Sequence, residues 1–476
     1  MTSDYSKIKQ SLLDKRYIQG LNATPFYMSA CAWSCFTMQK DLGFSHKRML
    51  FNYKGEYGEM QYFQDDLDNI WNIVKQKLEE DPSYLHKIKD RYHNNFRSHL
   101  NFFKKISETN LHQASDDYIF ELLKKLMRVQ ADSVGIGHII EAIGQRMDNE
   151  LKNILAEKYD QKKVDQYFIL LSAPSGLSFV AQEENDLYAI KKLPVNKREN
   201  ALKKHLEKYY WIQNTYCGPA EISIRSFTKR ISDAVFTSPN NFKEKEKLIG
   251  KLQLDSWAKK LTEIIELTTI WQDQRKQNIL IGLSYVGYIF DELSRRLRID
   301  PSILKHFSIV DSQNIDSISD MKKMETELKE RSKGAFYLWE DKKQYIISGK
   351  EYKELVNSLR EKEDSIVHDK IMGSIANGGT AIGRAVICNN ISQISKVKKG
   401  DILVSSMTRP EFMPALKKAA AIITDEGGIT CHAAIVSREL NIPAVIGTKI
   451  ASKVLKDGMM LVVKANHGHV RVLKKK

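Results

Sequence analysis

The sequence predicts a mainly α-helical N-terminal region followed by a C-terminal α/β domain. Up to roughly residue 365, apolar side chains recur at helical spacing and turn signals are few. Near the C-terminus, the small and β-branched run 419–424 leads into Gly427-Gly428. Ala433, Ala434, Ile435, Val436 and Leu440 then continue up to Pro443, the order of a buried strand, a tight turn and a short helix. Between the two parts, Gly373 and Asn377-Gly378-Gly379 supply flexible backbone and place a boundary near residue 370. A chain of 476 residues exceeds one ordinary core. The expected parts are 1–110, helical with a small β-hairpin; 111–369, a second helical region; and 370–476, the α/β domain.

Residues 47–62 interrupt the helical pattern with a strand, a turn at Gly55 and a return strand. Residues 65–85, 87–109 and 114–128 then read as consecutive helices, with Asp81-Pro82 at one boundary, and helices continue from 134 to 160. Leu202, His205, Leu206 and Tyr209 mark a further helix over 197–210. Residues 211–219 form an aromatic-rich loop, and a long amphipathic helix pair spans 242–298. A last hairpin near Ser348-Gly349 and a helix over 350–363 lead to the boundary.

Composition narrows the function. No stretch is apolar enough to cross a bilayer and the polar start is no secretory signal, so a soluble, cytoplasmic protein without a membrane partner is expected. Cys31, Cys35, Cys217, Cys388 and Cys431 are scattered and odd in number, against a disulfide framework, and Cys31-x-x-x-Cys35 has no second pair to complete a metal site. The net charge of +15 is spread over helices with mixed signs, which reads as a solvated exterior rather than a nucleic-acid surface. His467-Gly468-His469 reads as a turn rather than a metal pair, so no metal ligands are assigned.

His432 is the candidate catalytic residue. With Thr430 as N-cap it falls in the first helical turn, where unpaired N–H groups and the helix dipole stabilise an anion carried on the imidazole. A neutral imidazole nitrogen is a competent nucleophile near neutral pH, and its phosphoramidate passes the phosphoryl group on. Gly427 and Gly428 allow close backbone approach, Thr430 can cap the helix or touch the phosphate, and Arg438 and Arg409 are the nearest candidate clamps; Arg438, nearly two turns beyond His432, has contact with a partner or stabilisation of the domain as its alternative role. Cys431 is read as packing beside the histidine.

The run Gly427-Gly428-x-Thr430-x-His432-Ala433-Ala434-Ile435-Val436-Ser437-Arg438 resembles the phosphohistidine signature of phosphoenolpyruvate-utilising enzymes, the pyruvate phosphate dikinase and phosphoenolpyruvate synthase superfamily. Gly379-x-x-x-Gly383-Arg384-Ala385-Val386, Lys399-Gly400-Asp401-Ile402-Leu403-Val404, the segment 408–416, Asp457-Gly458 and Gly468 resemble the rest of that family's swivelling phosphohistidine domain. The likeness covers about a quarter of the chain. More loosely, the segment 203–211 and the Arg275-containing helix resemble the helical region of synthase-like phosphotransferases, including rifamycin phosphotransferases, which implies an acceptor- or partner-binding role for 111–369.

By this resemblance His432 takes the β-phosphoryl group of ATP through a pyrophosphorylated intermediate, releases orthophosphate, and passes on the remaining phosphoryl group; phosphoenolpyruvate is the alternative donor. No Gly-x-x-x-x-Gly-Lys-[Ser/Thr] motif occurs and no ATP-grasp pattern is evident. The expectation is a split phosphotransferase: a separate ATP-grasp protein binds ATP and Mg²⁺, as in relatives with separated subunits such as phenylphosphate synthase. This chain then holds a small-molecule acceptor. The other readings are a phosphocarrier or regulatory protein that hands phosphate to another protein, and a nucleic-acid-binding protein with a basic stripe.

Overall fold

The computed structural model describes residues 2–238, 242–308, 310–340, 343–363, 370–408, 412–427 and 431–473. It is mainly helical in its N-terminal part and α/β at its C-terminus, as the sequence predicts.

The helices pack around one long element, Ser256–Leu297 (42 residues), which at 1.5 Å per residue runs about 63 Å. Asp255 caps its start by accepting the Ala258 N–H at 2.7 Å, and Arg298 ends it in the left-handed region at φ +51°. Its buried stripe includes Leu261, Ile264, Trp271, Leu283, Val286 and Phe290, against which Tyr84–Glu108, Asp116–Val134 and Ile139–Ala156 pack.

The expected small hairpin is the centre of a larger sheet. Strands β1 (Arg16–Asn22), β2 (Arg48–Lys54), β3 (Tyr57–Phe63), β4 (Ala335–Glu340) and β5 (Lys343–Ser348) form an antiparallel sheet in the order β1-β3-β2-β4-β5. Side chains alternate between two cores. Met49, Phe51, Tyr62, Tyr337 and Trp339 join the helical core, while Leu50, Phe63, Phe336 and Leu338 meet the helices Ser3–Ser11 and Gly349–Glu363. The consecutive apolar residues of β2 therefore signalled a sheet covered on both faces, which an isolated hairpin cannot provide. One core runs from Leu21 to Trp339, so the position near 110 divides the chain without dividing the packing.

The C-terminal residues have cores of their own. Strands β6 (Lys370–Met372), β7 (Ser374–Asn377), β8 (Thr380–Ile387), β9 (Ile402–Ser405), β10 (Ala421–Thr424), β11 (Ala444–Ile446), β12 (Met460–Lys464) and β13 (His469–Val472) form a mixed sheet, β6-β13-β12-β8-β9-β10-β11-β7. The pairs β8–β9, β9–β10 and β10–β11 are parallel. β6 and β7 are adjacent in sequence yet lie on opposite edges, so the chain at Gly373 closes the sheet on itself. A Cβ there would meet the Ile446 carbonyl oxygen at 2.6 Å and Val445 Cγ1 at 2.7 Å, which only glycine avoids.

Candidate active site

β10 ends at Thr424, and the helix His432–Glu439 follows. Its N-cap is Cys431, extended at φ −68°, ψ 155°, so the helix starts one residue later than a Thr430 cap implies, and His432 is its first residue. Thr430, Gly428 and Arg409 lie outside the described residues. Ala433, Ala434, Val436 and Ser437 are buried against the sheet. Asn377 Nδ2 on β7 donates to the carbonyls of Ser437 (3.2 Å) and Ile442 (3.1 Å), fixing the far end of the helix.

His432 Nδ1 lies 3.0 Å from Thr408 Oγ1, and Thr408 is 1% exposed. With Nδ1–H donating to the hydroxyl, Nε2 carries the lone pair. Thr408→Val is expected to slow phosphorylation of His432 by about 10- to 100-fold, the usual cost of losing the partner that orients a reactive imidazole. Ser at this position should restore most of the rate; an unchanged rate in the valine variant would remove Thr408 from the mechanism. Gly427 approaches another backbone segment closely, since a Cβ there would meet Gly447 Cα at 2.6 Å.

The C-terminal domain is docked on the N-terminal region. The Gly20 N–H on edge strand β1 donates to the buried Glu426 carboxylate, Tyr57 is hydrogen-bonded to Ser406, and Lys417 pairs with Glu184 at 2.7 Å. Gly20 has no room for a side chain, because a Cβ would meet Ser406 Oγ and the Tyr57 hydroxyl at 2.6 Å each.

Between the two parts lies a cavity of about 630 Å³ bordered by His432, Gly427, Arg438 and Glu426 on one side. On the other side stand Tyr17, Gln19, His138, Glu141 and Arg275. Arg275 donates to the Gly137 carbonyl at 2.9 Å and to Glu141, whose second oxygen accepts from Gln19 at 2.9 Å. Tyr62 and His138 Nδ1 are 3.1 Å apart beneath them. Burial and then Arg275 hold the His138 imidazole well below its usual range, so it is neutral. Burial also pushes the Cys431 thiol up to about 11, which removes it as a nucleophile near neutral pH. Arg438 lines the cavity six positions after His432, its guanidinium lowered to about 10, chiefly by burial.

Glu439, the last residue of the helix, is pushed up to about 7 first by the surrounding protein, while Arg438 opposes this and Glu184 and Asp273 across the interface add to it. A carboxyl raised in the docked state holds its proton longer there than when undocked. The contribution of Glu439 to docking is therefore fully present below the ordinary carboxylate range and is lost as pH rises to about 7. Small-angle scattering should show the chain expanding over that window, with Glu439→Gln removing most of the change; an identical pH profile in the variant would assign the effect elsewhere.

Thr408, Glu426 and the facing wall carry roles that the motif did not reveal. For Arg275 a signal existed: it stands four residues after Trp271 and four before Ile279, a charge on an otherwise apolar helical stripe. Glu141 likewise interrupts Ile139-Ile140-Glu141-Ala142-Ile143.

Residues 397–468 match the sequence model of the family described as PEP-utilising enzyme, mobile domain. This stretch is a PEP-utiliser mobile domain. It carries His432, β9 to β12 and the turn at Gly468, where φ is +59°. Over 121 residues the chain is 52% identical to a probable phosphoenolpyruvate synthase of Archaeoglobus fulgidus, covering 25% of this chain and 16% of the relative. The phosphoenolpyruvate synthase of Pyrococcus furiosus is 47% identical over 134 residues (28% and 16%), and that of Pseudomonas aeruginosa is 36% identical over 139 residues (27% and 17%). The chain thus spans about a sixth of the length of these relatives. Among the described residues, no helix is long and apolar enough to cross a membrane.

Proposed function

We propose that this chain is the phosphohistidine-carrying component of a phosphotransferase: His432 takes a phosphoryl group from a donor and delivers it to a small molecule held in the cavity. The observation that carries this reading is the placement of His432, oriented through Thr408 at a helix start and facing a polar wall of Gln19, Glu141 and Arg275 across that cavity. In the first step the donor's P–O bond breaks as an N–P bond forms at Nε2. In the second, the N–P bond breaks as the acceptor hydroxyl forms an O–P bond and gives up its proton. Arg275 supplies positive charge on the acceptor side, and the helix N-terminus supplies it at the histidine.

The donor is ATP, bound with magnesium by a separate ATP-grasp polypeptide. Among the described residues, no group of three or more His, Cys, Asp or Glu side chains stands ready to hold a metal ion, so no step here is assigned to one. Phosphoenolpyruvate is a second donor, supported by the names of the relatives. The acceptor is larger than a three-carbon acid. The cavity volume suits a drug-sized molecule, and Met28, Met60, Met147, Met407 and Met413 line it with adaptable apolar surface.

The test is labelling with β-³²P-ATP and magnesium, with and without host lysate, followed by a chase with protein-free metabolite extract. Acid-labile, base-stable label on His432 that requires lysate and then moves into a small molecule supports the reading. Label without lysate would place the nucleotide site on this chain; label that chases only into protein would make it a carrier. Absence of label from both ATP and phosphoenolpyruvate would end the phosphotransfer proposal.

A further inference from the structure

The antiparallel half of the mobile-domain sheet has one covered face and one open face. Ile371, Ala385, Leu461, Val463 and Val470 point into a buried core. The alternate residues point outward, where Met372 is 55% exposed, Ile382 60%, Met460 41% and Leu473 45%. Val462 pairs across strands with both Ile382 and Arg471, so the apolar side chains form a connected patch.

Cations are interleaved with this patch. Arg471 pairs with Lys370, and His469 sits between Met372 and Lys464. The register sets Lys464 opposite His469 and Arg471 opposite Lys370 two residues along, and burial first, then Lys370, Arg471 and Lys464, lower the His469 imidazole. None of the outward positions on β6, β8, β12 and β13 is acidic; Asp401 holds Arg384 at the border, 2.8 Å away. The helix that carries His432 packs on a different core, on the parallel half of the sheet. The open face therefore remains exposed while His432 faces the cavity.

We infer that this face is the docking surface for an acidic, apolar-centred patch on the polypeptide that phosphorylates His432. The inference rests on the proposed separate donor. Charge complementarity selects an acidic protein surface. The patch offers Met, Ile, Val and Leu rather than the aromatic platforms on which single-stranded nucleic acid stacks. A grip here leaves His432 free to leave the cavity and makes its meeting with the donor centre effectively intramolecular.

The test uses the full chain with host lysate and Mg-ATP, comparing wild type, Arg471→Glu with Lys370→Glu, and Ile382→Asp. Direct phosphorylation of His432 by phosphoramidate serves as a control that needs no protein donor. The surface variants should take label from lysate about tenfold more slowly, with phosphoramidate labelling unchanged, and wild-type labelling should fall as salt rises. Equal lysate labelling of wild type and variants would overturn the docking surface and leave the phosphotransfer reading standing. Absence of wild-type labelling by lysate with ATP would overturn the separate donor and this surface with it. Salt-sensitive binding of a fluorescent single-stranded oligonucleotide, lost in the same variants, would instead make this a nucleic-acid surface.

Discussion

His432→Asn is expected to reduce the acid-labile phosphoryl label to background, a loss of at least about 1000-fold, from ATP with lysate, from phosphoenolpyruvate and from phosphoramidate alike. Asparagine retains a polar side chain at the helix start but has no nucleophilic nitrogen. The neighbouring groups cannot substitute: burial holds the Cys431 thiol at about 11, and Thr408 offers only a neutral hydroxyl. Because His432 is at the first helical position and only partly buried, folding should change by about 0.5 kcal/mol or less in urea titrations. A full label in the asparagine variant would move the phosphorylated residue elsewhere and dismantle the mechanism.

Arg275→Met is expected to separate the two half-reactions. Arg275 is 9% exposed and bonded to the Gly137 carbonyl and to Glu141, itself 7% exposed. Removing the guanidinium leaves a buried carboxylate with Gln19 as its remaining named hydrogen-bond partner, and breaking such a pair costs about 3–5 kcal/mol. Phosphorylation of His432 by the donor should survive once stability is allowed for, since the variant leaves the Thr408–His432 contact untouched. Transfer to the acceptor should fall about 100-fold or more, the typical effect of losing a charge that faces the moving phosphoryl group. Adding Glu141→Gln should recover part of the stability in urea titrations but none of the transfer in a single-turnover chase. Transfer at the wild-type rate in Arg275→Met would restrict Arg275 to a structural role.

The candidate site was half legible in the sequence. Gly427, His432 and the helix after them follow from local rules: a close backbone approach requires glycine, and a helix start favours an anion. The strand over 421–424 and the short helix could be read because strand, turn and helix are contiguous in sequence. The cap is Cys431 although Thr430 has the better capping side chain, because the cap position is set by which residue leaves the helical backbone conformation. The small hairpin was recognised, but its sheet was not. β1 ends at Asn22, β2 begins only at Arg48 after an intervening helix, and β4 begins at Ala335, so no local pattern links them.

Local sequence carries the likeness to a phosphohistidine domain, the proposal that His432 is its reactive residue and the strand–turn–helix that presents it, because those depend on neighbours within one turn or one strand. What His432 faces depends on how distant segments pack. Thr408, Glu141, Gln19 and Arg275 come from separate segments that only packing brings to one cavity. The docking of Glu426 on Gly20, the cavity behind it and the open cationic face of the mobile domain arise from which surfaces meet and which do not. Burial and charge pairing act through space, so although Arg275 and Glu141 each mark an apolar stripe, no spacing in the sequence says that segments more than a hundred residues apart meet in one wall.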